Sequence, residues 1–302
     1  MSEINPKDRI IIIGCGYTGS RIARECLAAG AEVHGVVRRD AQATQLNDVG
    51  VNVHQIDFDQ PSLKLDLPLD DALVFYCMPP PNWDSMDDMR MAQFVRYLTS
   101  VMPDEKPRAI VYLSSTSVYG DCHGAWVTEA SLPAPLSPRA SRRLAAESRL
   151  LGLHDQSGIP ITILRVAAIY GPGRIPVDMI REGRPMLNDD EAPFSNHIHV
   201  DDLARVCIAA ALRCQDWQIY NVSDGHPETM TTYFNRVADL NGLNRPQTVS
   251  WSEAQASLPP GMLDFLKESR RVDNLNMLNG LEIKLKYPDA DSGLRACIEE
   301  MV

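Results

Sequence analysis

The sequence contains no C-x-x-C pair, although it has seven cysteines: Cys15, Cys26, Cys77, Cys122, Cys207, Cys214 and Cys297. An odd number of scattered thiols in a 302-residue chain makes no disulfide frame and reads as free, buried cysteine. Clustered metal ligands are missing too. Apart from His197 and His199 the histidines stand alone, and no metal site is expected. Positive charge is in deficit, with a formal net charge of −11. That argues against a nucleic-acid or anionic-membrane surface, while local sites for a small anion remain open. The isoleucine run that follows the polar start of the chain is far too short for a signal peptide or a membrane span, so a cytoplasmic protein is expected. There is no internal repeat or low-complexity tract, and the stretch Met78-Pro79-Pro80-Pro81 is too short for a linker. What remains is a chain with an ordinary apolar fraction of 44%, long enough for one large domain or two.

The stretch that carries most information is Arg9 to Gly19, where Ile10, Ile11, Ile12 and Ile13 run into Gly14, Cys15, Gly16, Tyr17, Thr18 and Gly19. It predicts a buried strand entering a phosphate-binding turn. Gly14 permits the tight turn, Gly16 lets backbone approach a pyrophosphate, and Gly19 lets the next helix pack closely on the strand. Ser20 to Gly30 has helical spacing and Glu32 to Val37 resumes as a strand, which completes a βαβ opening. This second strand ends in Arg38 and Arg39, where an NAD-preferring site places a carboxylate. Arginine there favours a 2′-phosphate, so NADP is expected rather than NAD; the alternative is a pair of solvated surface charges.

Further apolar runs, at Val51–Ile56, Ala72–Cys77, Ala109–Leu113, Ile161–Val166 and Ile219–Val222, alternate with helical spacing at Met89–Met102, Arg142–Leu153 and Leu203–Leu212. Alternation of this kind predicts an α/β fold with a doubly wound parallel Rossmann sheet. Asp201 or Asp202 is expected to cap the last of these helices. A Rossmann domain over 1–170, completed by 197–223, is expected beside a smaller substrate-binding lobe made of 171–196 and 224–302. Met78 and Pro79 leave the fourth strand at the sheet edge where ligands bind, and are assigned to the cofactor.

Together the motifs resemble the extended short-chain dehydrogenases, the NAD-dependent epimerase/dehydratase family, over essentially the whole chain. Leu113 to Gly120 (LSSTSVYG) resembles the family's fifth strand and the run after it. Ile163-Leu164-Arg165 through Ile169 to Arg174 (IYGPGR) resembles its sixth strand and loop, His199 to Leu203 its HVDDL, and Tyr220-Asn221-Val222 its YNV. Two departures stand out. The first glycine of the turn sits one position late, at Gly14, as in atypical members. At the positions of the catalytic Tyr-x-x-x-Lys stand Arg139 and Arg143, and arginine does not titrate near neutral pH.

The resemblance implies that Ser115 hydrogen-bonds the reacting oxygen, with Ser117 beside it, and that Asp57 and Phe58 contact the adenine. Serines at a strand end also commonly satisfy backbone groups instead. Arg139 and Arg143, four apart, share a helix face, either as a cationic fork for an anionic substrate or with Arg143 paired to Glu147 and Arg139 solvated. Tyr119 and Tyr170 are the other nearby proton donors, in segments the family uses for packing. His197 and His199 point the same way if extended; His197 lies where the family often has an arginine for the nucleotide sugar, and His199 reads as structural. Trp83 and Trp126 either wall the pocket or fill core. The resemblance implies an NADP-binding oxidoreductase or epimerase-like enzyme for a sugar-nucleotide-like or carbonyl substrate and leaves a homodimer open. A non-catalytic NADP-binding sensor is the rival.

Overall fold

The computed structural model describes residues 3–60, 65–82, 85–102, 104–257, 263 and 266–300. Seven strands form the central parallel sheet: β1 (Arg9–Ile13), β2 (Glu32–Val37), β3 (Asn52–Gln55), β4 (Leu73–Tyr76), β5 (Ala109–Ser115), β7 (Ile161–Val166) and β12 (Trp217–Val222), in the order β12-β7-β5-β4-β1-β2-β3. A strand covered on both faces needs no polar alternation, and β-branched side chains suit its pleated surface. Ile10 to Ile13 and Val74 to Tyr76 are accordingly all 0% exposed. Register is Ile10 opposite Val33 on one side and Ile13 opposite Tyr76 on the other.

Between β1 and β4 the strand order reverses. The chain runs outward through β2 and β3, then returns to build β4 and β5 on the other side of β1. In open α/β sheets the crevice at the carboxyl ends of strands around such a switch point is where ligands bind. Helices α1 (Gly19–Ala28), α2 (Asp40–Asp48), α3 (Met89–Val101), α4 (Pro138–Ser157) and α6 (Val200–Arg213) connect the strands. Asp88 caps α3 by accepting from the backbone N–H of Arg90 and Met91. Helix α6 starts at Val200, so the capping expected of Asp201 or Asp202 is corrected. Both aspartates lie inside its first turn, where the helix dipole favours them, and Asp202 accepts from the backbone N–H of Lys286 and Tyr287, both at 2.7 Å.

Residues 1–118, 138–165 and 203–220 make one compact unit and residues 119–137, 166–202 and 221–302 a second. Thus 119–137, 166–170, 197–202 and 221–223, expected in the Rossmann domain, cluster with the second unit. That unit contains β6 (Trp126–Val127), β8 (Ala168–Tyr170), β9 (Met186–Leu187), β10 (Phe194–Ser195), β11 (His197–His199), β13 (Glu228–Thr229), β14 (Thr248–Val249) and β15 (Arg271–Val272). They pair two by two, β8 with β11 and β6 with β15 in parallel. Helices α5 (Val177–Arg181) and α7 (Met230–Leu240) pack there around Tyr170, Tyr233, Val237 and Leu294. Among the described residues no helix is long and apolar enough to cross a membrane.

Candidate functional site

The turn after β1 is shaped by close approach. Gly14 has φ +86°, and a Cβ there would lie 2.9 Å from the backbone N and Cα of Met78. At Gly19 a Cβ would lie 2.8 Å from the carbonyl oxygen of Gly14 and 2.9 Å from Ile12 Cγ2. Both glycines are demanded by the protein's own packing. Gly16 differs, because a Cβ there would meet no more than Gln42 Nε2 at 3.9 Å. Cys15 turns inward, where burial pushes its thiol up to about 12; Gly35 makes room, since a Cβ there would reach Cys15 Cβ at 3.2 Å. Thr18 makes no side-chain cap to α1, and the first turn carries no acidic residue. Tyr17 is half-buried, with the Arg21 guanidinium 4.3 Å above its ring.

Past β2 and β3 the chain builds a charged corner. Arg38 and Arg39 are exposed, and Arg38 Nη1 donates to Asp59 Oδ2 at 3.2 Å. Arg90, in the first turn of α3, donates through Nε and Nη2 to the two oxygens of Asp59 at 2.7 and 2.6 Å, and through Nη1 to the carbonyl of Pro79 at 2.9 Å. These bonds hold the Asp59 carboxyl below its ordinary range. Asp57 accepts from the backbone N–H of Asp59 at 3.0 Å. The Phe58 ring is 2% exposed and lies in the core with Ile11 and Tyr76. Asp59 and Arg90 were missed in the sequence, where an aspartate two residues past Asp57 and an arginine at a helix start look like ordinary surface charges.

At the end of β5 the chain turns into a 3₁₀ helix, Thr116–Tyr119, rather than running on extended. Ser115 and Ser117 come together all the same. Ser115 Oγ accepts from the Ser117 N–H at 3.2 Å and from its hydroxyl at 3.0 Å, so its own proton is left to donate elsewhere. Next to it, Ser114 donates to Glu147 at 2.5 Å, and Arg165 Nη2 donates to Glu147 Oε2 at 2.8 Å, all three buried. Glu147 is therefore the partner of Arg165 and not of Arg143.

The fork expected of Arg139 and Arg143 is also corrected. Arg139 is exposed, whereas Arg143 is buried and turns inward, donating to the carbonyl of Leu113 at 2.5 Å and to Tyr112 Oη at 3.2 Å. A carbonyl end and a phenol draw the guanidinium into the interior, so the two charges do not converge on one ligand. The Tyr112–Arg143 pair places a phenol beside a fixed cation, but burial pushes that phenol up to about 12 against the opposing pull of Arg143. It holds its proton at neutral pH.

In the second unit, Tyr119 is buried and donates to Asn221 Oδ1 at 2.7 Å. His197 is 3% exposed, stacks on Tyr233 with ring centroids 3.9 Å apart, and shares a 3.0 Å hydrogen bond with Ser195 Oγ. Burial, reinforced by Arg236, pushes it down to about 3, so it is neutral. Tyr119 and His197 are thus both buried and held by side chains of the second unit. His197 and His199 do point the same way, since both meet the Tyr170 ring edge-on. His199 accepts from the backbone N–H of Asp201 at 3.2 Å, and its place is structural. The phenol of Tyr170 is pushed far up by burial. Trp126 is half exposed with Arg271 5.5 Å from its ring centroid, and Trp83 lies outside the described residues.

The chain is similar to Protein YeeZ of Escherichia coli, 26% identical over 294 residues that cover 93% of this chain and 97% of that protein. It resembles the structure of a functionally unknown conserved protein from Silicibacter pomeroyi at TM-score 0.84 and 28% identity, over 97% of this chain and 99% of the other. A UDP-glucuronic acid 4-epimerase from Bacillus cereus in complex with NAD shares the fold at TM-score 0.75 and 20% identity, over 96% of each chain. Residues 10–223 match the NAD dependent epimerase/dehydratase family as a whole, and the chain belongs to that family.

Proposed function

We propose that this protein binds a nicotinamide dinucleotide at the turn after β1 and acts as an oxidoreductase or epimerase-like enzyme on a sugar-nucleotide-like or carbonyl substrate. The observation that carries this reading is the contrast within the turn. Gly14 and Gly19 are fixed by contacts inside the protein, while nothing among the described residues requires glycine at Gly16. A pyrophosphate passing over Gly16 to the uncapped start of α1 supplies that requirement. When bound, the dinucleotide supplies the two-electron chemistry. Ser115 donates to the substrate oxygen, held in place by Ser117. Arg143 keeps a positive charge beneath the end of β5 but moves no proton, so the proton comes from another source.

Between the two cofactors we propose NADP. Arg38 and Arg39 close β2 where a carboxylate would serve NAD, and Arg38 is exposed with a single bond to Asp59. The similar epimerase is held with NAD, which makes the choice a direct test. Calorimetric titration is expected to show tighter binding of NADPH than NADH, and Arg38→Asp to reverse the order. One charge-assisted hydrogen bond contributes roughly 1.5–3 kcal/mol. Equal affinities in the parent would remove the NADP assignment. The inward turn of Arg143 favours a second reading, a dinucleotide-binding sensor without turnover. Sustained conversion of a sugar nucleotide in the presence of the dinucleotide would eliminate it.

A further inference from the structure

We infer that Asp59 sets the preference between the two dinucleotides by competing with the 2′-phosphate for Arg38, an inference that rests on the cofactor site proposed above. Arg90 already occupies both oxygens of Asp59, at 2.7 and 2.6 Å, and is largely buried, 15% exposed in its side chain. Arg38 adds a single longer bond of 3.2 Å, and its side chain is 54% exposed. The two arginines therefore hold Asp59 unequally. Arg38 can leave without stranding a buried charge, because the bidentate pair with Arg90 stays satisfied. Asp59 remains beside the guanidinium as a fixed negative charge. A 2′-phosphate that takes Arg38 loses part of the gain to repulsion from this carboxylate, and a 2′-hydroxyl does not.

Arg90 extends the effect across the sheet edge. Its third bond goes to the carbonyl of Pro79, in the segment whose neighbour Met78 touches Gly14. One carboxylate thus ties the ends of β2, β3 and β4 around the proposed adenosine side. Neutralising Asp59 frees Arg38 for the 2′-phosphate and removes the repulsion that a phosphate held by Arg38 would meet. Both changes act through Arg38 and favour the phosphorylated cofactor.

The experiment titrates the full-length parent, Asp59→Asn, Asp59→Glu, Arg38→Ala and the double variant Asp59→Asn with Arg38→Ala, each with NADPH and with NADH. Asp59→Asn is expected to raise the NADPH-to-NADH affinity ratio roughly tenfold at low salt, with a smaller rise at high salt. Asp59→Glu should keep the parent ratio and shows that the corner still folds. In the Arg38→Ala background most of the effect should vanish. An unchanged or lowered ratio in Asp59→Asn, with NADPH still bound, would overturn the inference and leave the cofactor site standing. A full effect of Asp59→Asn without Arg38 would also overturn it. Failure of the parent to bind either dinucleotide would remove the cofactor reading and this inference with it.

Discussion

The charged residues whose fate could not be read from the sequence are the ones that burial redefines. Arg142, Arg143 and Glu147, all on α4, are under 9% exposed, and nothing in their local pattern distinguishes them from the solvated charges usual on a helix. The same holds for Asp224, which is 4% exposed. Burial, opposed by His226 and reinforced by Glu228 and Asp289, pushes its carboxyl up to about 7. A folded-state value raised above the unfolded one means that the folded protein holds the extra proton, and the stability this gives is present at low pH and lost as pH rises from about 4 through 7. His197 acts in the opposite sense. Its folded value of about 3 lies below the ordinary 6.5, so its contribution is present above 6.5 and lost as pH falls toward 3. The two slopes offset one another between about 4 and 6.5. Asp224→Asn removes only the first of them and keeps the oxygen that accepts from the His226 N–H at 2.9 Å. Denaturation at several pH values should show this variant gaining on the parent as pH rises from 4 to 7, with the difference flat above 8. A difference independent of pH would show that Asp224 ionises normally.

At the scale of elements, long apolar runs were legible and short pairings were not. Four consecutive isoleucines admit little besides a buried strand, and β1, β2, β4, β5, β7 and β12 lie where their apolar runs place them. The pairs of two or three residues in the second unit, such as β6 with β15, carry no period long enough to read. Helix α4 begins at Pro138, four residues before its apolar spacing becomes clear at Arg142, because proline fits the first turn of a helix. The glycine turn was the most legible part of the candidate site, and it separates folding from binding. Gly19→Ala puts a Cβ 2.8 Å from the Gly14 carbonyl and should cost about 1–3 kcal/mol through overpacking, measured by urea denaturation. Gly16→Ala meets only the far end of Gln42 at 3.9 Å and should fold with near-parent stability while losing dinucleotide affinity. Equal losses of stability in both variants would mean that Gly16 is also a packing glycine.

For the whole molecule, the family was legible because several motifs occur in one order along one chain, which no single G-x-G-x-x-G conveys. The matched region, 10–223, contains every residue assigned to the dinucleotide, and Gly14, Arg38, Asp57, Met78 and Ser115 all fall in the first compact unit. What the motifs could not convey is which atoms a side chain such as Arg143 reaches, since it turns toward Tyr112 because a buried phenol and the Leu113 carbonyl await it. This placement has a calorimetric consequence. A ligand that binds only the folded state stabilises it by about 2.7 kcal/mol at a hundredfold excess over its dissociation constant. For a chain of 302 residues unfolding in one transition, that corresponds to a rise in Tm of roughly 4 °C. If the two units melt separately, the rise should be confined to the transition of the first unit and be larger there, because the same free energy is divided by a smaller unfolding entropy. Differential scanning calorimetry of the parent with and without NADPH, beside Gly16→Ala under the same conditions, tests this. A Tm that NADPH leaves unmoved in the parent, or moves equally in Gly16→Ala, would place the dinucleotide somewhere other than the turn after β1.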